Sequence, residues 1–130
     1  MSGRLNKAKK FYSTTEKSSI KVQDPVSIVK TMVKELQSSM NKVIDSTGKE
    51  NERFVRTKYF SRSLFIIYTL QTTLDFDKGE KLATKLFQIY EYCRQQLIKC
   101  FKEQVVEGTH KAIKALEDIF STNSVESNVT

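Results

Sequence analysis

A single proline, Pro25, and four scattered glycines, Gly3, Gly48, Gly79 and Gly108, are all that punctuate 130 residues. Sharp reversals draw on these residue types, so a chain this poor in them has few turns and hence few strands. Long helices joined by short loops are the economical solution. The apolar pattern agrees. At Leu82, Leu86, Ile89, Tyr90, Cys93, Leu97 and Phe101 it returns every three or four positions, which draws one continuous stripe along a helix of several turns. Asp77, followed three residues later by Glu80, has the form of a capping box at the start of that helix. Such a cap is worth about 1 kcal/mol.

Three further helices follow by the same reasoning. Asp24 is placed to cap the free amides of a first helix, and Pro25 at its first position loses no hydrogen bond. That helix runs to about residue 44, with Val29, Met32, Val33, Leu36, Met40, Val43 and Ile44 on one face. A second, at about 51–74, has a core face at Phe60, Leu64, Ile67, Leu70 and Leu74. Its centre, Leu64-Phe65-Ile66-Ile67-Tyr68, is apolar nearly all round, so it must be central or carry a partner on its second face. A fourth, at about 104–120, shows Val105, Ala112, Ile113, Leu116, Ile119 and Phe120 at helical spacing, with Gly108 as a weak interior point. Short loops force antiparallel neighbours. The predicted fold is therefore all-α: an antiparallel up-down four-helix bundle over 24–120, with a flexible basic arm at 1–23 and a polar tail at 121–130.

Composition narrows the chemistry. With 38% apolar residues the chain supports one core. The net charge of +7 is mostly in the arm, where Arg4, Lys7, Lys9, Lys10, Lys17 and Lys21 face only Glu16, so it reads as a solvated tail and not as a nucleic-acid site. The charged start is followed by no apolar stretch, and no run nears the roughly 18 apolar residues a spanning helix needs. No membrane contact is expected, and the expected location is the cytoplasm. Cys93 and Cys100, seven apart on one helix, would lie about 10.5 Å apart. A disulfide needs less than about 7 Å, so they read as small buried apolar residues.

Nothing in the sequence assembles a catalytic site. The only histidine, His110, has Lys111 and Lys114 nearby, which leaves a phosphotransfer module as an alternative reading, but no glycine follows in the pattern such modules favour. Asp75 and Asp77 flank a helix start, where capping explains them, and the scattered glycines make no phosphate cradle. No cofactor and no metal is expected. A binding protein is the reading that remains, with a basic nucleic-acid-binding helical protein as the second alternative.

The residues around the third helix also carry a resemblance. Leu74-Asp75, Gly79, Ala83, Leu86, Tyr90, Tyr92 and Leu97 match a pattern of L-D-x-x-x-G, then A-x-x-L-x-x-x-Y-x-Y and a following Leu, and Ile66-Ile67 with Leu70 match I-I-x-x-L. This set resembles the signature of the FliS family, the flagellar export chaperones of flagellin, over residues 11–120. The chain departs from the pattern in three places. Met32-Val33-Lys34-Glu35 stands where the family has Leu-Tyr-Asp-Gly, Phe65 and Tyr68 are usually polar, and Phe120 takes the place of a tryptophan near the end.

The resemblance implies a cytoplasmic helical bundle that holds the disordered C-terminal segment of flagellin, prevents premature polymerisation and helps deliver it to the cytoplasmic domain of the type III export gate. A homodimer stays open. Phe11 and Tyr12 are the arm's only aromatic anchor, and Tyr12 resembles the tyrosine of a family segment that can fold back over its own binding surface; a disordered tail is the other reading. The sequence places the groove for the client on the second and third helices, which carry more apolar surface than one core uses. Tyr59, Phe65, Ile66, Tyr68, Phe87 and Ile98 are the expected contacts.

Overall fold

The computed structural model describes residues 24–121. Among them are four α-helices and no strand: α1 (Pro25–Ser46), α2 (Arg53–Thr72), α3 (Glu80–Glu103) and α4 (Glu107–Phe120), with a 3-10 turn at Glu50–Glu52 leading into α2. α1 packs along α2, α2 along α3, α3 along α4, and α4 returns to α1. The four helices close the antiparallel bundle that the periodicity predicts. The arm at 1–23 and the tail from 122 onward lie outside the described residues.

The helix ends explain where the chain turns. Asp24 caps α1 as expected: its Oδ1 accepts from the Ser27 N–H at 2.7 Å, with Pro25 at the first helical position. At the far end, Ser46 and Thr47 return their hydroxyls to the Val43 carbonyl (3.1 and 2.7 Å), and Gly48 takes a positive φ of 79° that suits glycine. Arg56 then reaches back from α2. Its Nη1 donates to the carbonyls of Ser46 (2.6 Å) and Lys49 (3.2 Å), which also accept from the Lys49 and Glu52 N–H groups, and so ties α2 to the turn after α1.

Two expected boundaries move. The capping box of Asp77 and Glu80 does not form. Instead Asp75 Oδ1 accepts from the backbone N–H groups of Asp77 (3.1 Å) and Lys78 (3.3 Å), so the loop folds around Asp75 and leaves Gly79 at the cap position, with no side-chain bond there. The fourth helix starts at Glu107 and not near residue 104, because Gln104 ends α3 in the left-handed conformation (φ 58°, its N–H on the Cys100 carbonyl at 2.9 Å). Val105 is consequently exposed, and Gly108 lies in the first turn. There a Cβ would meet the far end of the Gln96 side chain, which would have to move aside. Thr109, fully buried beside it, donates its hydroxyl to the Gln96 carbonyl at 3.1 Å and ties α4 to α3.

The core follows the predicted stripes. Leu36, Met40 and Val43 of α1, Ile67 and Leu70 of α2, Tyr90, Cys93, Leu97 and Cys100 of α3, and Ala112 and Leu116 of α4 are buried in one cluster. Both cysteines are free and buried, and burial pushes the Cys93 thiol up to about 12, far from a reactive thiolate.

Candidate functional site

α2 has apolar residues on nearly every side, so its neighbours decide which of them stay in water. Ser63, Ile66, Ile67 and Leu70 point inward and are buried. On the side facing α1, the Tyr59 hydroxyl accepts from Lys42 Nζ at 3.3 Å, and the same ammonium lies 4.3 Å from the ring centre. That hydrogen bond lowers the Tyr59 pKa. Arg62, on the same side, pairs with Glu35 of α1 at 2.8 Å. On the side facing α3, Phe60 stacks on Phe101 with ring centroids 4.0 Å apart and planes at 8°.

The α2–α3 seam continues from that stack toward the loop. Gln71 Nε2 donates to Glu91 Oε1 at 3.3 Å and, more weakly, to the Phe87 carbonyl at 3.5 Å. Arg94 closes on Glu91 with two bonds, Nε to Oε1 at 2.9 Å and Nη2 to Oε2 at 2.6 Å. These charge-assisted bonds outweigh partial desolvation and hold the Glu91 carboxyl at about 2. The seam is therefore pinned by a fixed polar group, while apolar side chains beside it remain open. Phe65 is 71% exposed, Tyr68 66% and Phe87 42%, and Ile98 is half-buried.

The expected groove set thus divides. Phe65, Tyr68, Phe87 and Ile98 lie on the outer side of α2 and α3 with apolar surface in water. Ile66 does not: at 8% exposure it belongs to the core, because one step of about 100° from Phe65 turns it inward. Tyr59 is drawn to the α1 side by Lys42, away from Phe87 and Ile98. Ala83, four residues before Phe87, is likewise buried, while Phe101 is taken up by Phe60.

The motif residues have a different location. Leu74, Asp75, Gly79, Ala83, Leu86 and Tyr90 line an apolar cavity of about 310 Å³ at the end of the bundle, closed on its other sides by Pro25, Val29, Leu82 and Phe120. Asp75 shapes the loop there and Gly79 starts α3. Tyr90 is a wall of the core at 1% exposure, where burial raises the pKa of its hydroxyl, and Tyr92 is half-buried against the same cluster. The chain enters the described region at this cavity through Asp24-Pro25, but the expected anchors Phe11 and Tyr12 lie outside the described residues.

His110, on which the phosphotransfer alternative centres, is exposed on α4, where Lys111 and Lys114 form solvent-exposed pairs with Glu107 at 3.4 Å and Asp118 at 3.8 Å. Among the described residues no His, Cys, Asp and Glu side chains group to hold a metal, and no helix is long and apolar enough to cross a membrane.

Sequence reasoning missed two features. The cavity is one, since it needs four helix ends and a loop to meet. Phe54 is the other: at 81% it is the most exposed large apolar residue among those described, and its eleven-residue spacing to Phe65 was the signal available. Compared with known proteins, the chain is matched over residues 8–124 by the model of a family described as flagellar protein FliS. No curated protein and no solved structure matches it.

Proposed function

Because the chain belongs to the FliS family, a family of flagellar export chaperones, we propose that it binds the disordered C-terminal segment of flagellin along the α2–α3 seam. In this reading it works in the cytoplasm, keeps flagellin from polymerising before export and helps present it to the type III export gate. The observation that carries the reading is the row of Phe65, Tyr68 and Phe87, exposed beside a seam whose own packing is already complete. A bundle that needed only to fold would turn these rings inward or replace them with polar residues.

Magnitudes suit a segment that orders on binding. Covering the exposed parts of four such side chains removes on the order of 300 Å² from water, about 7 kcal/mol at roughly 25 cal/mol per Å². Ordering a disordered segment costs about 2–5 kcal/mol or more, so the surplus from these contacts alone is modest, and further contacts elsewhere on the bundle would contribute the rest. The polar clasp of Gln71, Glu91 and Arg94 offers amide and carboxylate groups for the backbone of the incoming chain.

Phe87→Glu and Ile98→Glu test this. A glutamate at either site is solvated in the free protein and would be buried unpaired under a bound segment. The variants should melt close to the parent while binding a flagellin C-terminal peptide more weakly, by about tenfold or more. Unfolding of both would make these positions part of the core. Intact melts with unchanged affinity would move the client elsewhere.

A further inference from the structure

The ridge of α2 that points away from the bundle carries a second surface, which shares Phe65 with the seam row and extends from it to Phe54. Phe54 and Phe65 are eleven residues apart, so at about 100° per residue they return to within about 20° of one azimuth, about 16.5 Å apart along the axis. Both are largely exposed, at 81% and 71%. Lys58, one turn beyond Phe54, stands on the same ridge between them and is exposed.

The charge around this ridge has one sign. α2 contains Arg53, Arg56, Lys58 and Arg62 and no acidic residue. Two of the four are used within the fold: Arg62 pairs with Glu35 at 2.8 Å, and Arg56 donates to the Ser46 and Lys49 carbonyls. Arg53 and Lys58, the two beside Phe54, have no ion-pair partner among the described residues, although Lys58 Nζ lies 5.5 Å from the centre of the Tyr59 ring. The nearest acids in sequence, Glu50 and Glu52, precede the helix, and Glu52 lies 3.6 Å from Lys49. The positive end of the helix dipole adds to the same field.

We propose that this ridge docks an acidic amphipathic helix of a protein partner. Its apolar stripe would lie on Phe54 and Phe65, and carboxylates flanking that stripe would meet Arg53 and Lys58. A helix matches because its own side chains recur on one face at the same eleven-residue spacing, so two contacts about 16.5 Å apart can be met at once. Nucleic acid fits less well, since two unpaired cations are few against the roughly six to ten phosphate contacts of backbone binders. An anionic bilayer is served by clusters of about four to eight cations. The proposal shares Phe65 with the flagellin reading but does not rest on it, because Phe54, Arg53 and Lys58 lie outside the seam set.

The test uses the full chain and two synthetic peptides of about five helical turns that share one leucine stripe, flanked by glutamates in one and by lysines in the other. Phosphatidylglycerol–phosphatidylcholine vesicles and a single-stranded oligonucleotide are titrated in parallel. The glutamate peptide should bind and the lysine peptide should not. Phe54→Ser, and separately Arg53→Glu with Lys58→Glu, should each weaken the binding by about tenfold with circular dichroism unchanged. Equal binding of the two peptides, or of neither, overturns the proposal. So does binding of vesicles or oligonucleotide that is lost in the Arg53→Glu/Lys58→Glu variant while the glutamate peptide is ignored, as does a dimer of the free chain that Phe54→Ser dissolves.

Discussion

Leu86 and Leu97 lie on one stripe of α3, and the structure predicts that truncating them will not cost the same. Leu97 is fully buried in the middle of the core, whereas Leu86, 6% exposed, forms part of the wall of the 310 Å³ cavity. Leucine to alanine in a core loses a transfer contribution of about 2 kcal/mol plus about 24 cal/mol for each Å³ of void that persists. Around Leu97, packed on every side, most of a void of roughly 80 Å³ stays open, and the total comes to about 4 kcal/mol. Beside Leu86 the vacated space joins a cavity already present, so the second contribution is small and the total is about 2–3 kcal/mol. The difference of about 1.5 kcal/mol should separate the two melting midpoints by roughly 6–12 °C in a domain of this size. Urea denaturation followed by far-ultraviolet circular dichroism gives the free energies, provided the m-value is unchanged. A Leu97→Ala protein that melts like the parent refutes the core assignment. Leu86→Ala costing as much as Leu97→Ala refutes the role given to the cavity.

Three other outcomes follow from the local geometry. Arg94 holds the Glu91 carboxyl at about 2, below its ordinary 4.5, so this pair contributes stability above pH 4.5 that is lost as pH falls from 4.5 toward 2. Because the pair is partly exposed, Glu91→Gln should cost less than about 1 kcal/mol at neutral pH, and the gap to the parent should close across that window in acid titrations of stability. Gly108→Ala should fail to give the gain of up to about 1 kcal/mol usual in a helix, because the new Cβ meets Gln96; in a Gln96→Ala background the gain should return, as a double-mutant cycle would read. Removing residues 1–23 should leave the helical signal per bundle and the cooperative melt intact, since α1 starts on its own cap at Asp24; loss of the cooperative transition would make the arm part of the core.

Spacing alone located the helices and most of the core. A stripe such as Leu36, Met40 and Val43, or Leu86, Tyr90, Cys93 and Leu97, is periodic because a helix has a single buried side, and that information is local. Asp24-Pro25 was legible for the same reason, since a cap acts within three residues of itself. The chain's signature residues were also legible as a pattern, but their placement was not: Leu74, Asp75 and Gly79 shape a loop and a cavity wall that exist only where α1, α2, α3 and α4 end together.

What only the tertiary structure decided concerns α2. The core face of Phe60, Leu64, Ile67, Leu70 and Leu74 was legible, but Phe65, Ile66 and Tyr68 make the helix apolar nearly all round, so the sequence marks excess apolar surface without saying which of these residues carries it. Neighbours on α1 and α3 break the tie. Lys42 draws Tyr59 to one side, Phe101 takes Phe60 on the other, the core claims Ile66, and Phe54, Phe65 and Tyr68 are what remains in water. Each of those contacts joins residues at least seventeen apart in the chain or depends on one that does. The physical reason is that periodicity reports a difference between the sides of a helix, and where the sides are alike only the partners across the bundle can distinguish them.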